Sequence, residues 1–259
     1  MSMSYLISIL QKYQARDLTL YSSSISTLKN ILQAWANTCY LDTLGSGSRA
    51  KGTAISIASD VDYLVSLSSS CNENNGGLES IYESLYSELS SKYSGVRKQN
   101  VSVRINLGGL MVDVTPARKQ PGNTNDHWLY VSKLKTRKQT NIQKHINDIS
   151  NSGRTNEIKI LKIWRELNKL EFPSIYLEYL MVNVILKNYP TGLDKLGSNA
   201  WHVLTELAKY SDNPLDINLV DPANSGNILS DLLTTSEKSS VKNAAREAIK
   251  QSDWNQIVW

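Results

Sequence analysis

Apolar and polar positions follow different rhythms along the chain. Leu6, Ile9 and Leu10 form one stripe, and Ile25, Leu28, Ile31, Leu32 and Trp35 a second; steps of three and four predict two helices within residues 5–38. From 54 to 67 β-branched and apolar residues surround Asp60 and Asp62, predicting a strand that enters the loop at 68–77. Residues 78–93 read as a helix. Val101, Val103, Ile105 and Leu107 then alternate with Ser102, Arg104 and Asn106 as in a half-buried strand. Gly108-Gly109 tolerates the positive φ of a tight hairpin, so Leu110 to Thr115 should return as the partner strand, limited by Pro116. Asp113 therefore lies on a strand. Beyond about residue 140 the pattern is helical: Ile160, Ile163, Trp164 and Leu167 keep helical spacing, and 175–188, 199–210 and 237–251 are further helical stretches.

Strand rhythms are thus confined to the first part of the chain and helical ones dominate the second. No internal repeat and no linker rich in Pro, Gly or Ser separates independent domains. The expected fold is α+β: a small mixed sheet with N-terminal helices over residues 1–140, then a helical bundle half over 141–259.

Composition changes this picture little. A hydrophobic fraction of 41% and a charged fraction of 20% over 259 residues exclude a disordered or fibrous chain. No run approaches the roughly 18 apolar residues of a membrane span, and the N-terminus lacks the layout of a signal peptide, so the expected location is cytoplasmic, with no membrane partner. Cys39 and Cys71 are the only cysteines, too few for a disulfide framework and without zinc spacing. His127, His145 and His202 form no metal-ligand spacing, and each reads as a surface or interface residue; Asp126-His127-Trp128 reads as a loop tucked by its Trp. Charge is uneven: between Arg97 and Lys144 ten Lys or Arg stand against Asp113 and Asp126, a surplus of eight that favours an anionic ligand nearby.

The chemistry is concentrated in Gly47-Ser48-Arg49-Ala50-Lys51-Gly52-Thr53, in Ser59-Asp60-Val61-Asp62, and in Val112-Asp113-Val114. On a strand Asp60 and Asp62 point to one face while Val61 and Tyr63 point to the other. Two carboxylates forced together raise each other's pKa, and a divalent cation between them removes that cost. Mg²⁺ takes a few carboxylates, phosphate oxygens and water. Two such ions clamp the attacking and leaving oxygens of an in-line displacement, which requires a third carboxylate; Asp113 supplies it and by role favours deprotonation of an acceptor hydroxyl. The glycine-rich turn lets backbone N–H groups and the Ser48 hydroxyl approach phosphates.

This ordered set resembles the DNA polymerase β-like nucleotidyltransferases, in the branch of 2′-5′ oligoadenylate synthetases, class I CCA-adding enzymes and bacterial cyclic-oligonucleotide synthases. Leu161-Lys162-Ile163-Trp164 looks like the helix offering a phosphate-binding lysine, Pro173-Ser174-Ile175-Tyr176-Leu177-Glu178 like the P-S-x-x-L-E helix start, and Asp221-Pro222-Ala223-Asn224 like a stretch near the end of the catalytic core. Together these span about residues 40 to 230. The resemblance implies a palm followed by a helical domain that closes the nucleotide cleft. It implies Asp60, Asp62 and Asp113 as catalytic and metal-binding residues, Mg²⁺ or Mn²⁺ as cofactor, and Gly47, Ser48, Thr53, Lys162 and Ser174 as nucleotide-binding residues. In relatives an aromatic residue often follows that serine and stacks on the base; here Ile175 takes its place, leaving Tyr176 or Tyr179 as alternatives.

The activity so implied is metal-dependent transfer of ribonucleotides from nucleoside triphosphates, ATP and possible others such as GTP, with release of pyrophosphate. The first reading is a synthase of a cyclic di- or oligonucleotide second messenger in antiviral signalling, with a regulatory nucleic acid or protein as a further partner. The alternative is transfer to a tRNA 3′ end or to a small-molecule hydroxyl, as in antibiotic adenylyl transfer. A binding module without catalysis is the third reading, and the presence of all three aspartates speaks against it.

Overall fold

The alternation over 101–115 forms the centre of a seven-stranded mixed sheet. Its strands are β1 (Tyr40–Ser46), β2 (Val61–Leu67), β3 (Arg97–Lys98), β4 (Val103–Leu107), β5 (Leu110–Lys119), β6 (His127–Val131) and β7 (Thr136–Thr140). The order is β1-β2-β5-β4-β3, with β6 pairing both β5 and β7. Among the described residues the β2–β5 pair is parallel and the other pairs of this sheet are antiparallel. The helices are α1 (Met3–Lys12), α2 (Ser22–Ala36), α3 (Gly47–Ala50), α4 (Gly77–Lys92), α5 (Ile142–Ser150), α6 (Thr155–Leu167), α7 (Ser174–Leu180), α8 (Leu196–Ala208) and α9 (Thr235–Ala248), and a two-stranded hairpin, β8 (Val220–Asp221) and β9 (Asn224–Ile228), lies between the last two. This computed structural model describes residues 2–58, 60–72, 74–122 and 124–259; Ser59 beside the first aspartate and Glu73 in the expected loop lie outside the described residues.

Two units divide the chain: a helical one of Met1–Arg16, Lys51–Ser59 and Asn147–Trp259, and a sheet unit of Asp17–Ala50 and Asp60–Ile146. In the sheet unit, Leu28 and Leu32 of α2 and Ile81, Tyr82, Leu85 and Leu89 of α4 pack with Val61, Val65, Val103, Ile105, Val112 and Val114. Each fully buried aliphatic side chain of this kind contributes about 1.5–3 kcal/mol. In the helical unit, α1 buries Leu6 and Ile9 with Ile160, Ile163 and Trp164 of α6, Leu177 of α7, Val203 and Leu204 of α8 and Val241 of α9. No helix among the described residues is long and apolar enough to cross a membrane.

Three expectations are corrected. The strand expected over 54–67 begins only at Val61; Ala54 and Ile55 are apolar because they are buried residues of the helical unit. Pro116 does not end β5, which runs to Lys119. Away from β2, the β4 pairing stops at Val114 and the β6 pairing starts at Ala117, so Pro116 sits at a break where a missing N–H is tolerated. The segment around Asp126-His127-Trp128 is no tucked loop, because His127 opens β6 and is buried, with 3% of its surface exposed. Its Nδ1 lies 2.9 Å from the Asn125 carbonyl and its Nε2 2.8 Å from Ser66 Oγ, and burial pushes its pKa down. The D-P-A-N stretch forms the β8–β9 turn, Asp221 Oδ1 accepting from the Ala223 N–H at 2.9 Å.

Although two cysteines make no framework, Cys39 and Cys71 are joined in a disulfide with a Cα–Cα distance of 5.4 Å. It ties the residue before β1 to the loop after β2, where the Ser68 N–H also donates to the Cys39 carbonyl at 2.8 Å. Unreduced, denatured protein should take up no thiol-alkylating reagent, whereas reduced protein should take up two equivalents. Because the bridge spans 32 residues, Cys71→Ser should lower unfolding stability by about 3 kcal/mol, measured by urea denaturation.

Candidate active site

Sheet register, rather than proximity along the chain, assembles the site. Ser46 of β1 pairs with Asp62 of β2, Asp62 with Asp113 of β5, Asp113 with Arg104 of β4, and Arg104 with Arg97 of β3. Directly opposed residues share a face, so these five side chains form one row across five strands. Their neighbours Val61, Tyr63, Val103, Ile105, Val112 and Val114 turn to the other face and are buried there. Period-two alternation thus puts the charged groups on one side of the sheet and the core on the other. Asp60 directly precedes β2 and stands two residues from Asp62.

Arg104 joins these carboxylates. Its Nε donates to Asp113 Oδ1 at 2.9 Å and its Nη2 to Asp113 Oδ2 at 2.7 Å, a bidentate pair, while the same Nη2 donates to Asp60 Oδ2 at 2.7 Å. One oxygen of Asp60 and one of Asp113 therefore lie no farther apart than twice that distance. The hydrogen bonds to Asp113 hold the Arg104 guanidinium above its already high pKa, partial burial opposing them and the fields of Asp113, Asp60 and Asp62 adding to them. Asp113 is the most enclosed of the bonded groups, with 14% of its side chain exposed against 33% for Arg104 and 39% for Asp60. Among the described residues no three His, Cys, Asp or Glu form a ready-made metal cage. The donor set nonetheless fits a hard divalent cation: all its ligand atoms are carboxylate oxygens, and two of the carboxylates already converge on one cationic nitrogen.

Gly47 has a more specific reason to be glycine than a general tolerance of turns. Its φ is +63°, and a Cβ there would stand 1.8 Å from Asp62 Oδ2. The turn after β1 thus packs directly against the second aspartate, and any other residue would push that carboxylate aside. Ser48 follows, half-buried in α3.

A second charged group lies inside the helical unit. Glu178 of α7 is fully buried and accepts hydrogen bonds from Lys51, from Lys162 at 2.6 Å and from the Thr53 hydroxyl at 2.8 Å; Lys162 also donates to Thr53 Oγ1 at 2.9 Å. Burial pushes the Lys162 ammonium down to about 8, with Glu178 opposing. Burial would raise Glu178, but the two lysines outweigh it and hold the carboxyl below its usual value. One carboxylate and two ammonium groups secure the segment that starts at Lys51 within the helical unit.

No protein-family model and no curated protein matches the chain, but solved structures do. CdnC of E. coli MS115-1, in complex with HORMA-deltaN, is 20% identical with a TM-score of 0.72, covering 98% of this chain and 93% of that one. The CdnE c-UMP-AMP synthase of Rhodothermus marinus, with Apcpp and Upnpp, is 14% identical with a TM-score of 0.60 and 96% coverage of each chain. The Cid1 poly(U) polymerase with magnesium and 3′-dATP is 11% identical with a TM-score of 0.66, covering 97% of this chain and 95% of that one. The chain has a nucleotidyltransferase fold.

On this nucleotidyltransferase fold the residues singled out by sequence fall into two groups. Asp60, Asp62, Asp113, Gly47 and Ser48 belong to the sheet unit, whereas Thr53, Lys162 and Ser174 belong to the helical unit. Lys162 is a buried member of the Glu178 cluster. Pro173 holds the N-cap position of α7, and Ser174 Oγ accepts from Arg165 Nη1 at 3.0 Å. Tyr176 and Tyr179 are fully buried, their hydroxyls donating to the Leu215 carbonyl and to Asp148, which removes both as exposed base platforms. Sequence reading missed Arg104, although its signal was present. In a two-residue hairpin at Gly108-Gly109, Leu107 faces Leu110, and counting back pairs Arg104 with Asp113. The joint role of Lys51 and Glu178 had no comparable signal.

Lys162 gives a pH prediction. Below about pH 8 it is charged in both folded and unfolded chains. Between there and its ordinary value near 10.4 the unfolded chain holds more protons, so stability should rise with pH. Relative to Lys162→Met, the wild-type urea midpoint should climb from pH 8 to pH 10; a flat or falling difference would mean that the buried lysine keeps its proton.

Proposed function

We propose that the protein is a metal-dependent nucleotidyltransferase that joins ribonucleotides from nucleoside triphosphates, releases pyrophosphate and makes a cyclic di- or oligonucleotide signal in antiviral signalling. One observation carries the reading: Asp62 and Asp113 are paired across adjacent parallel strands, and Asp113 and Asp60 share one Arg104 nitrogen. Three carboxylates gathered at one place on the sheet are costly to hold together, and this chemistry uses such a set. A c-UMP-AMP synthase among the proteins of similar fold supports the cyclic product, and a poly(U) polymerase among them supports RNA tailing as the second reading.

Asp60, Asp62 and Asp113 are the residues that would hold Mg²⁺ or Mn²⁺. When bound, the metal supplies a Lewis acid that draws charge from phosphate oxygens and lowers the pKa of an attacking hydroxyl. Asp113, the more enclosed carboxylate, is suited to accept the proton of the acceptor's 2′- or 3′-hydroxyl. Gly47 keeps the turn against Asp62, and Ser48 would contact triphosphate oxygens. Thr53 and Lys162, with Ser174, are proposed as further nucleotide contacts; for Lys162 this requires it to exchange part of its hold on Glu178 for phosphate. ATP, GTP or other triphosphates are the substrates, and a regulatory protein is a further partner, since CdnC of similar fold was solved in complex with HORMA-deltaN.

The four labelled ribonucleoside triphosphates, incubated with the protein and Mg²⁺ or Mn²⁺ and then treated with phosphatase, should leave resistant cyclic products. Label found only in elongated RNA would favour tailing, the activity named for the poly(U) polymerase; label only on tRNA ends or on a small-molecule hydroxyl would favour the other transfers. Asp60→Asn with Asp62→Asn should remove at least about a thousandfold of any such activity. Gly47→Ala should also reduce it strongly while lowering stability by about 1–3 kcal/mol.

A further inference from the structure

Arg104 is bonded to two of the three groups that the proposed chemistry assigns to metal. Its guanidinium occupies both oxygens of Asp113 and one of Asp60, and it is the direct ladder partner of Asp113 on the same face. A divalent cation seeking those oxygens meets a fixed positive charge already satisfied by them. We propose that Arg104 is a built-in counter-ion that yields Asp60 and Asp113 to the metal and takes a nucleotide phosphate in exchange, so that metal and triphosphate bind cooperatively. This rests on the preceding reading of the three aspartates.

The surroundings of Arg104 make the exchange specific. Arg104 lines an open cavity of about 530 Å³ together with Ser94, Arg97, Asn106 and the hairpin glycines Gly108 and Gly109. Among the described residues that line it there is no carboxylate. A guanidinium released towards that side finds a second arginine and no protein anion, a poor exchange for three charge-assisted hydrogen bonds. A triphosphate supplies the missing anion, and a planar guanidinium suits bidentate recognition of phosphate oxygens. Metal alone must therefore displace Arg104 without compensation, whereas metal and triphosphate together satisfy both sides. By linkage each should tighten the binding of the other.

The test measures binding, not turnover. Mn²⁺ affinity is followed by electron paramagnetic resonance for the wild type, Arg104→Gln, Arg104→Lys and Asp113→Asn. A non-hydrolysable ATP analogue is titrated separately by calorimetry, in EDTA and in Mn²⁺, and circular dichroism confirms that each variant is folded. Arg104→Gln should bind Mn²⁺ alone at least about tenfold more tightly than the wild type and lose most of the mutual tightening between Mn²⁺ and analogue. Arg104→Lys, which keeps the charge but not the fork, should fall between them. Equal Mn²⁺ affinity in the wild type and Arg104→Gln, or independent binding of metal and analogue in the wild type, would overturn the proposal. Unchanged Mn²⁺ binding in Asp113→Asn would instead refute the metal-site reading itself.

Discussion

Carboxylates held this close need a positive charge, and the sheet unit is organised around providing one. The parallel pairing of β2 with β5 puts Asp62 beside Asp113, and the antiparallel hairpin of β4 and β5 puts Arg104 beside Asp113. Had the hairpin shifted by one residue, Arg104 would have turned to the buried face and the acidic pair would have lost its cation. The hydrophobic residues between these positions enforce the register, because Val103, Ile105, Val112 and Val114 must all reach the core formed with α2 and α4. Core packing and electrostatics therefore select the same alignment.

The helical unit handles charge differently. Glu178 lies where no water competes, so a lone carboxylate would be destabilising; Lys51, Lys162 and the Thr53 hydroxyl answer it from two separate parts of the sequence. Burial depresses Lys162, with the charge of Lys51 adding to it, while the two lysines hold Glu178 below its usual value. Such a cluster is weak evidence for stability as such. It does specify position, since Lys51 and Thr53 are the residues through which the chain leaves the glycine-rich turn on its way to Asp60.

Much of this architecture was legible because the elements have strong periods. The helices near 22–36, 77–92 and 155–167 follow from apolar spacing, and the hairpin around Gly108-Gly109 follows from alternation together with its two glycines. The strand expected from residue 54 failed because an apolar run has no direction: Ile55 is buried in the helical core, while Val61, Tyr63 and Val65 are buried under the sheet. Hairpin β6–β7 was hidden for a related reason, its lysines and arginines masking the run Trp128-Leu129-Tyr130-Val131. Among site residues, the aspartates stood out by their spacing. Arg104 did not, since a single arginine in a basic stretch carries no signal until strand pairing is written out.

That last omission bears on how a site of this kind is recognised. A motif search favours residues that would touch a ligand and passes over the ones that hold those residues in its place. The missing Cβ of Gly47 leaves room for Asp62, and the Lys162 ammonium serves Glu178. In both cases the residue already serves a neighbouring carboxylate before any nucleotide enters. A nucleotide that uses these groups must exchange existing contacts rather than fill unused ones, so its net affinity depends on the difference between the two sets. The same logic applies to Arg104, whose three hydrogen bonds set the level that an incoming cation has to exceed.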